Sequence, residues 1–216
     1  ALRLESYGPD PSKNTPFSAI VEIYNCTFMH NERAVSISRR FREVHIVDCV
    51  FMHNVAMHAA AAIRIAMEYS IPTFIKNCLF YHNAAGQSRH QGIPGRFQIG
   101  NDQIHINSEL INGIISLVGK GGAVRIQKGT VLIQNCSFVN NTARMLGGTI
   151  FVDRHSTLNV TGSNFTNTGD HGHAVQGDII YSSGFVNLDG VDIRVLSAMV
   201  MSLSLSCISM KSLNSM

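Results

Sequence analysis

The chain has 216 residues, 45% apolar and 14% charged, with a formal net charge of +3, which is ample apolar material for a folded core. The longest apolar run, Val195 to Met210, is broken by alternating serines, which excludes a helix able to cross a membrane and argues against direct membrane insertion. Lysines and arginines are scattered along the sequence, so no nucleic-acid partner is expected, and no cofactor either.

Read in chain order, Leu2 and Leu4 predict a short first strand. Residues 5–17, rich in Pro, Gly and Ser, predict an inserted loop. A phrase then recurs: VEIYNCTFMHN at 21–31, VHIVDCVFMHN at 44–54, TFIKNCLFYHN at 73–83 and VLIQNCSFVNN at 131–141. Within it, apolar residues two apart mark a strand, an Asn or Asp interrupts the alternation, and Cys and Phe two apart mark a second strand. Asn enters the left-handed region cheaply, so it predicts a corner.

Val55 to Met67 has helix propensity, yet its end falls on the strand position Ile63/Ile65, and the repeat is expected to override it. Ala84 to Pro94 predicts a second inserted loop. A degenerate copy follows, with Phe97/Ile99 as one strand, Ile104/Ile106 as the next, Asn107 at the corner and Ser108/Leu110 as a third, a register that keeps Asp102 outside the core. Gly121 to Val124 and Gly147 to Ile150 begin strands through glycine turns, and Ser163/Phe165 and Val191/Ile193 continue the series. Residues 195–216 predict a frayed or incomplete last coil.

The predicted fold is all-β: a right-handed parallel β-helix (β-solenoid) of about seven coils, roughly 28 residues each, with three short strands per coil. The array is expected to fill 1–216 as a single unit. The opening residues carry no leader-like pattern, and we expect the chain to be a piece of a longer protein. Predicted corners are Asn25, Asp48, Asn77, Asn107, Asn135, Gly162 and Gly190. Two inward rows are predicted: Cys26, Cys49, Cys78, Ser108, Cys136 and Ser163, and Phe28, Phe51, Phe80, Leu110, Phe138 and Phe165.

The Gly-Gly-Ala-Val at Gly121 to Val124, its variant at Gly147 to Ile150, and Phe-x-x-Asn at Phe28/Asn31, Phe51/Asn54, Phe80/Asn83 and Phe138/Asn141 resemble the repeats of the polymorphic outer-membrane proteins of chlamydiae. Similar repeats occur in large secreted or surface proteins of other organisms. Arg33-Ala34-Val35 and Ala61-Ala62-Ile63 depart from the glycine motif, and Thr168 replaces the last Asn. The resemblance implies a β-helix displayed outside the cell and acting in adhesion.

Few residues suggest chemistry. The cysteines read as buried free thiols acting as small hydrophobes, with Cys78 and Cys136 expected two coils apart and so too far to bridge. His30, His53 and His82 align and are candidate metal ligands, although a straight row converges poorly on an ion and a solvent-facing stack is preferred. GDHGHAVQGD at 169–178 offers Asp170, His171, His173 and Asp178 as candidate catalytic residues for cleavage of sugar chains. Asn-x-Ser/Thr sequons make Asn140, Asn159 and Asn164 glycosylation candidates, those at Asn25 and Asn135 being corner residues.

The preferred reading is a non-enzymatic scaffold, extracellular or at a cell surface, that displays a binding face to a glycan or a surface protein. The alternatives are a carbohydrate-active β-helix, a polysaccharide lyase or hydrolase, and a spacer segment of a large surface receptor.

Overall fold

The computed structural model describes residues 2–6, 19–39, 41–57, 60–67, 72–86, 96–99, 102–105, 119–167, 179–195, 204–205, 208–210 and 213–214. The protein is all-β, with no helix among the described residues and mostly parallel strands in curled sheets. Val55 to Met67 resolves as the strands Val55–Ala56 and Ile63–Met67, where tertiary pairing outweighs the helix propensity of its alanines.

Three strand rows run through the molecule. The first contains Leu2–Ser6, Val35–Arg39, Ile63–Met67, Val124–Gln134, Ile150–Val152, Ile180–Ser182 and Ser204–Leu205, each step parallel. The second runs from Ile20–Tyr24 through Glu43–Val47, Pro72–Lys76, the later part of Val124–Gln134, Ser156–Thr161 and Phe185–Asp189 to Ile208–Met210. The 11-residue strand Val124–Gln134 serves both rows, slipping register between Ile126 and Lys128 and passing through Gly129 at φ 115°. A separate 7-stranded sheet holds the third row, Thr27–Met29 to Leu213–Asn214.

Pairing joins like to like. Phe28, Phe51, Phe80, Phe138 and Phe165 are consecutive partners, with ring centroids 5.0, 5.0, 4.6 and 4.6 Å apart and planes within 6° of parallel. Val44, Ile46, Ile75, Val131, Ile133, Leu158 and Val160 fill the facing side, all at most 1% exposed. Removing one such ring would cost about 3–5 kcal/mol, the transfer loss plus the cavity left behind.

The structure corrects the reading of residues 84–110. Leu79–Tyr81 pairs directly with Ser137–Val139, and Pro72–Lys76 with the strand carrying Val131, so no layer separates Cys78 from Cys136. Arg96–Ile99 pairs antiparallel with Asp102–His105, Phe97 opposite Ile104, in a 2-stranded ribbon of its own. The rung assigned to Asn107, Ser108 and Leu110 therefore has no place between those neighbours, and the three residues lie outside the described ones. Period-two spacing is common to parallel and antiparallel strands, which is why the sequence misled here.

Loop boundaries also shift. Glu5 and Ser6 belong to the first strand, and Ala84–Ala85 is a buried strand paired with Val55–Ala56 and Thr142–Ala143. At the other end, Ser204–Leu205, Ile208–Met210 and Leu213–Asn214 each add to one of the three rows.

Candidate functional site

The pleat of the first row alternates inward and outward residues, so Ile63-Arg64-Ile65 and Val124-Arg125-Ile126 each bury two apolar side chains and aim an arginine outward, and Leu2-Arg3-Leu4 repeats the triplet with Leu2 exposed and Leu4 half-buried. Register then links the outward residues in a continuous line: Arg3, Ser36, Arg64, Arg125, Phe151 and Tyr181. Neighbouring strands are ~4.8 Å apart, so Arg64 and Arg125 are one step from each other and Arg3 is two steps from Arg64.

Contacts hold these cations in place. Arg64 Nε donates to Gln127 Oε1 at 2.7 Å, and Arg3 Nε donates to Glu5 Oε1 at 2.9 Å. Phe151, only 4% exposed, is a platform: Lys120 Nζ lies 5.2 Å and the Arg125 guanidinium carbon 5.5 Å from its ring centroid, while Tyr181 stacks on it at 5.6 Å with planes 3° apart. Cations over an aromatic face are attracted by its quadrupole.

Electrostatically the row is under-compensated. Burial, then the charges of Arg33 and Arg3, hold the Arg64 guanidinium below its ordinary value, with Glu5 opposing. Burial and then Arg64 do the same for Arg125, opposed by Asp153. Both Arg64 and Arg125 remain charged at neutral pH, because a guanidinium starts so high. The buried Nε atoms of Arg33 and Arg125 have no hydrogen-bond partner among the described residues. An anion reaching this line would relieve the repulsion among these guanidinium groups.

The sequence-predicted residues fall elsewhere. Asn25, Asp48, Asn77, Asn135, Gly162 and Gly190 occupy left-handed φ of 51–59° at an exposed bend. Cys26, Cys49, Cys78 and Cys136 are free thiols one layer apart, each Sγ 3.1–3.2 Å from the carbonyl oxygen two residues earlier. Ser163 repeats that contact with its hydroxyl at 3.0 Å. Contrary to the expected two-coil gap, the Cys78 N–H donates to Cys136 Sγ at 3.4 Å. Burial pushes the Cys49 thiol up to about 11, and Cys78 is raised by its bond with Cys136 and then by burial. Such thiols are protonated and poorly nucleophilic at neutral pH.

His30, His53 and His82 stand at a second bend, φ 50–55°, with rings stacked at 5.5 Å. Histidine is among the residues enriched in that backbone region. Stacked rings present their nitrogens side by side, and no group of His, Cys, Asp and Glu among the described residues is arranged to hold a metal ion. Asn140 takes the same bend in the next layer, its Nδ2 3.4 Å from His82 Nε2. Asn159 points outward, half-buried, and Asn164 is exposed. Asp170, His171, His173 and Asp178 lie outside the described residues.

Sequence reasoning missed two features. One is the arginine line, whose signal is the apolar-Arg-apolar triplet repeated at Leu2, Ile63 and Val124. The other is the role of the last Asn of the phrase. The side-chain amides of Asn31, Asn54, Asn83 and Asn141 form a ladder, Nδ2 to the next Oδ1 at 3.1, 2.8 and 2.9 Å. Each Asn from Asn54 onward also donates to the Phe carbonyl of the preceding layer, at 2.9–3.0 Å.

No family model matches the chain, and neither does any curated protein or solved structure.

Proposed function

We propose that this chain is a right-handed parallel β-helix, a single array of about seven coils, that works outside the cell or at a cell surface as an adhesive display scaffold. On this reading the Gly-Gly-Ala-Val and Phe-x-x-Asn repeats carry the architecture, as in the polymorphic outer-membrane proteins they resemble, and binding resides in outward side chains. The partner is an extended glycan or a surface protein held along a regular face, without cleavage. The observation that supports it is the line of outward residues, Arg3 to Tyr181, kept in strand register across six layers of the first row.

The test is incubation of the intact chain with immobilised neutral and acidic polysaccharides and with whole cells, scoring retention and new chain ends in the same samples. Retention with no new chain ends is expected. New chain ends would replace this reading with a carbohydrate-active enzyme.

A further inference from the structure

We infer that the arginine line of the first strand row, Arg3, Arg64 and Arg125, with Arg33 and Lys120 near it, is a binding site for a linear polyanionic glycan, a polysaccharide bearing sulfate or carboxylate groups. This rests on the scaffold reading above and names the ligand class of its face.

Four observations carry the inference. First, the cations are collected by register from distant parts of the chain: Arg3, Ser36, Arg64 and Arg125 are successive partners in parallel strands. They form a straight file rather than a broad patch, and a linear polymer is the ligand that meets a file. Second, the stems are fixed. Arg64 is bonded to Gln127, and Arg125 and Lys120 lie over the buried Phe151 ring, so little side-chain entropy remains to be lost on binding.

Third, the cations outweigh the carboxylates beside them: Arg33, Arg64 and Arg125 repel one another, while Glu5 is already paired with Arg3 and Asp153 opposes the charge at Arg125. Planar guanidinium groups pair bidentately with sulfate and carboxylate, which would offset that repulsion. Fourth, half-buried Tyr181 extends the file one step past Phe151 and offers a ring face of the kind that receives a pyranose. The ~4.8 Å step between strands is close to the advance of one sugar unit along an extended chain.

Nucleic acid fits less well. A duplex presents two phosphate strands to a broad basic surface, and a single strand calls for successive exposed aromatics to stack its bases. The net charge is only +3, and along this file Phe151 is buried, leaving Tyr181 as its one accessible aromatic among the described residues.

The experiment measures affinity of the intact chain for heparin, polygalacturonate, dextran and single-stranded DNA, with circular dichroism confirming the fold of each variant. Variants are Arg64→Gln/Arg125→Gln, Arg64→Lys/Arg125→Lys, and a control of equal charge loss on the other two rows, Lys76→Gln/Arg194→Gln. We expect heparin or polygalacturonate to bind, the comparison of those two separating sulfate from carboxylate recognition, and dextran to show no binding. The Gln pair should weaken polyanion binding by tenfold or more and the control by twofold or less. If the Gln pair fails to fold, the Lys pair decides, with a loss of threefold or more expected because charge is kept and the bidentate fork is removed. Equal losses in the Gln pair and the control, tighter binding of DNA, or no binding of either acidic glycan would each overturn the inference. Cell retention that is unchanged by the Gln pair would overturn it while leaving the scaffold reading intact, and new chain ends would overturn the scaffold reading itself.

Discussion

At the first bend of each layer, Asn25, Asp48, Asn77, Asn135, Gly162 and Gly190 take left-handed φ of 51–59° and are exposed. At the second bend, His30, His53, His82 and Asn140 take φ of 50–55°, and the residue after each is an Asn of the amide ladder, fully buried from Asn54 onward. The same backbone geometry is thus secured in two ways. The first bend relies on residues that tolerate the conformation, helped by an exposed bond from Asn77 Nδ2 to Asp48 Oδ1 at 3.0 Å. The second is locked by amides that satisfy one another out of contact with water. Residue identity should therefore be flexible at the first bend and rigid at the Asn of the second.

Asn83→Ala breaks that contrast most severely. Asn83 accepts from the N–H and Nδ2 of Asn54 and donates to Asn141 Oδ1 and the Phe51 carbonyl oxygen. Truncation strands several buried polar groups, and we expect urea denaturation to register a loss on the order of 3–5 kcal/mol. A loss below ~1 kcal/mol would mean that the ladder contributes little.

At the first bend, Asn135→Val forces a β-branched residue into the left-handed region, which we expect to cost about 1–3 kcal/mol. The same change at outward-facing Asn159 should stay within ~0.5 kcal/mol. Equal melting temperatures for these two variants would refute the bend assignment.

A pH titration sharpens the comparison from the residue just inside the first bend. The Cys49 thiol is raised from 9.0 to about 11 in the folded protein. The folded state therefore keeps a proton that the unfolded chain releases, so this contribution is whole below pH 9 and is lost as pH climbs through about 11. Thermal unfolding should show falling stability across that window, and Cys49→Ser should flatten the fall. The smallest effect is expected for Asn135→Gly, a few tenths of a kcal/mol at most, because Gly162 and Gly190 already hold the equivalent position. A loss above ~1 kcal/mol would show that the Asn135 side chain has a role beyond permitting its φ.

Much of this was readable from the phrase itself. Alternation marked the Phe and Cys rows, and the interrupted alternation marked the first bend. The spacing of Phe97/Ile99 and Ile104 misleads because alternation reports which side chains share a face and is silent on the direction of the neighbouring strand, here antiparallel. The arginine line escaped notice for a related reason. Arg64 and Arg125 look scattered in sequence, and only the pairing of Ile63–Met67 with Val124–Gln134 makes them neighbours. The amide ladder was invisible because the motif fixes where each Asn stands and not what its side chain meets.

The pairing of Leu79–Tyr81 with Ser137–Val139 has a consequence for how this chain can be modified. Asn83 and Asn141 are bonded across 58 residues, Asn54 and Asn83 across 29, and the two contacts are alike at 2.9 and 2.8 Å. The Phe80 and Phe138 rings stack at 4.6 Å, as tightly as Phe138 on Phe165. The architecture thus absorbs a long excursion without a change in its spacing, and loop-closure entropy adds only about 0.6 kcal/mol for each doubling of length. The junction after Gly86 and before Gly119 is accordingly a port for cargo: a reporter, an epitope or a folded module spliced there should ride on the protein while the layers on either side close as they do now.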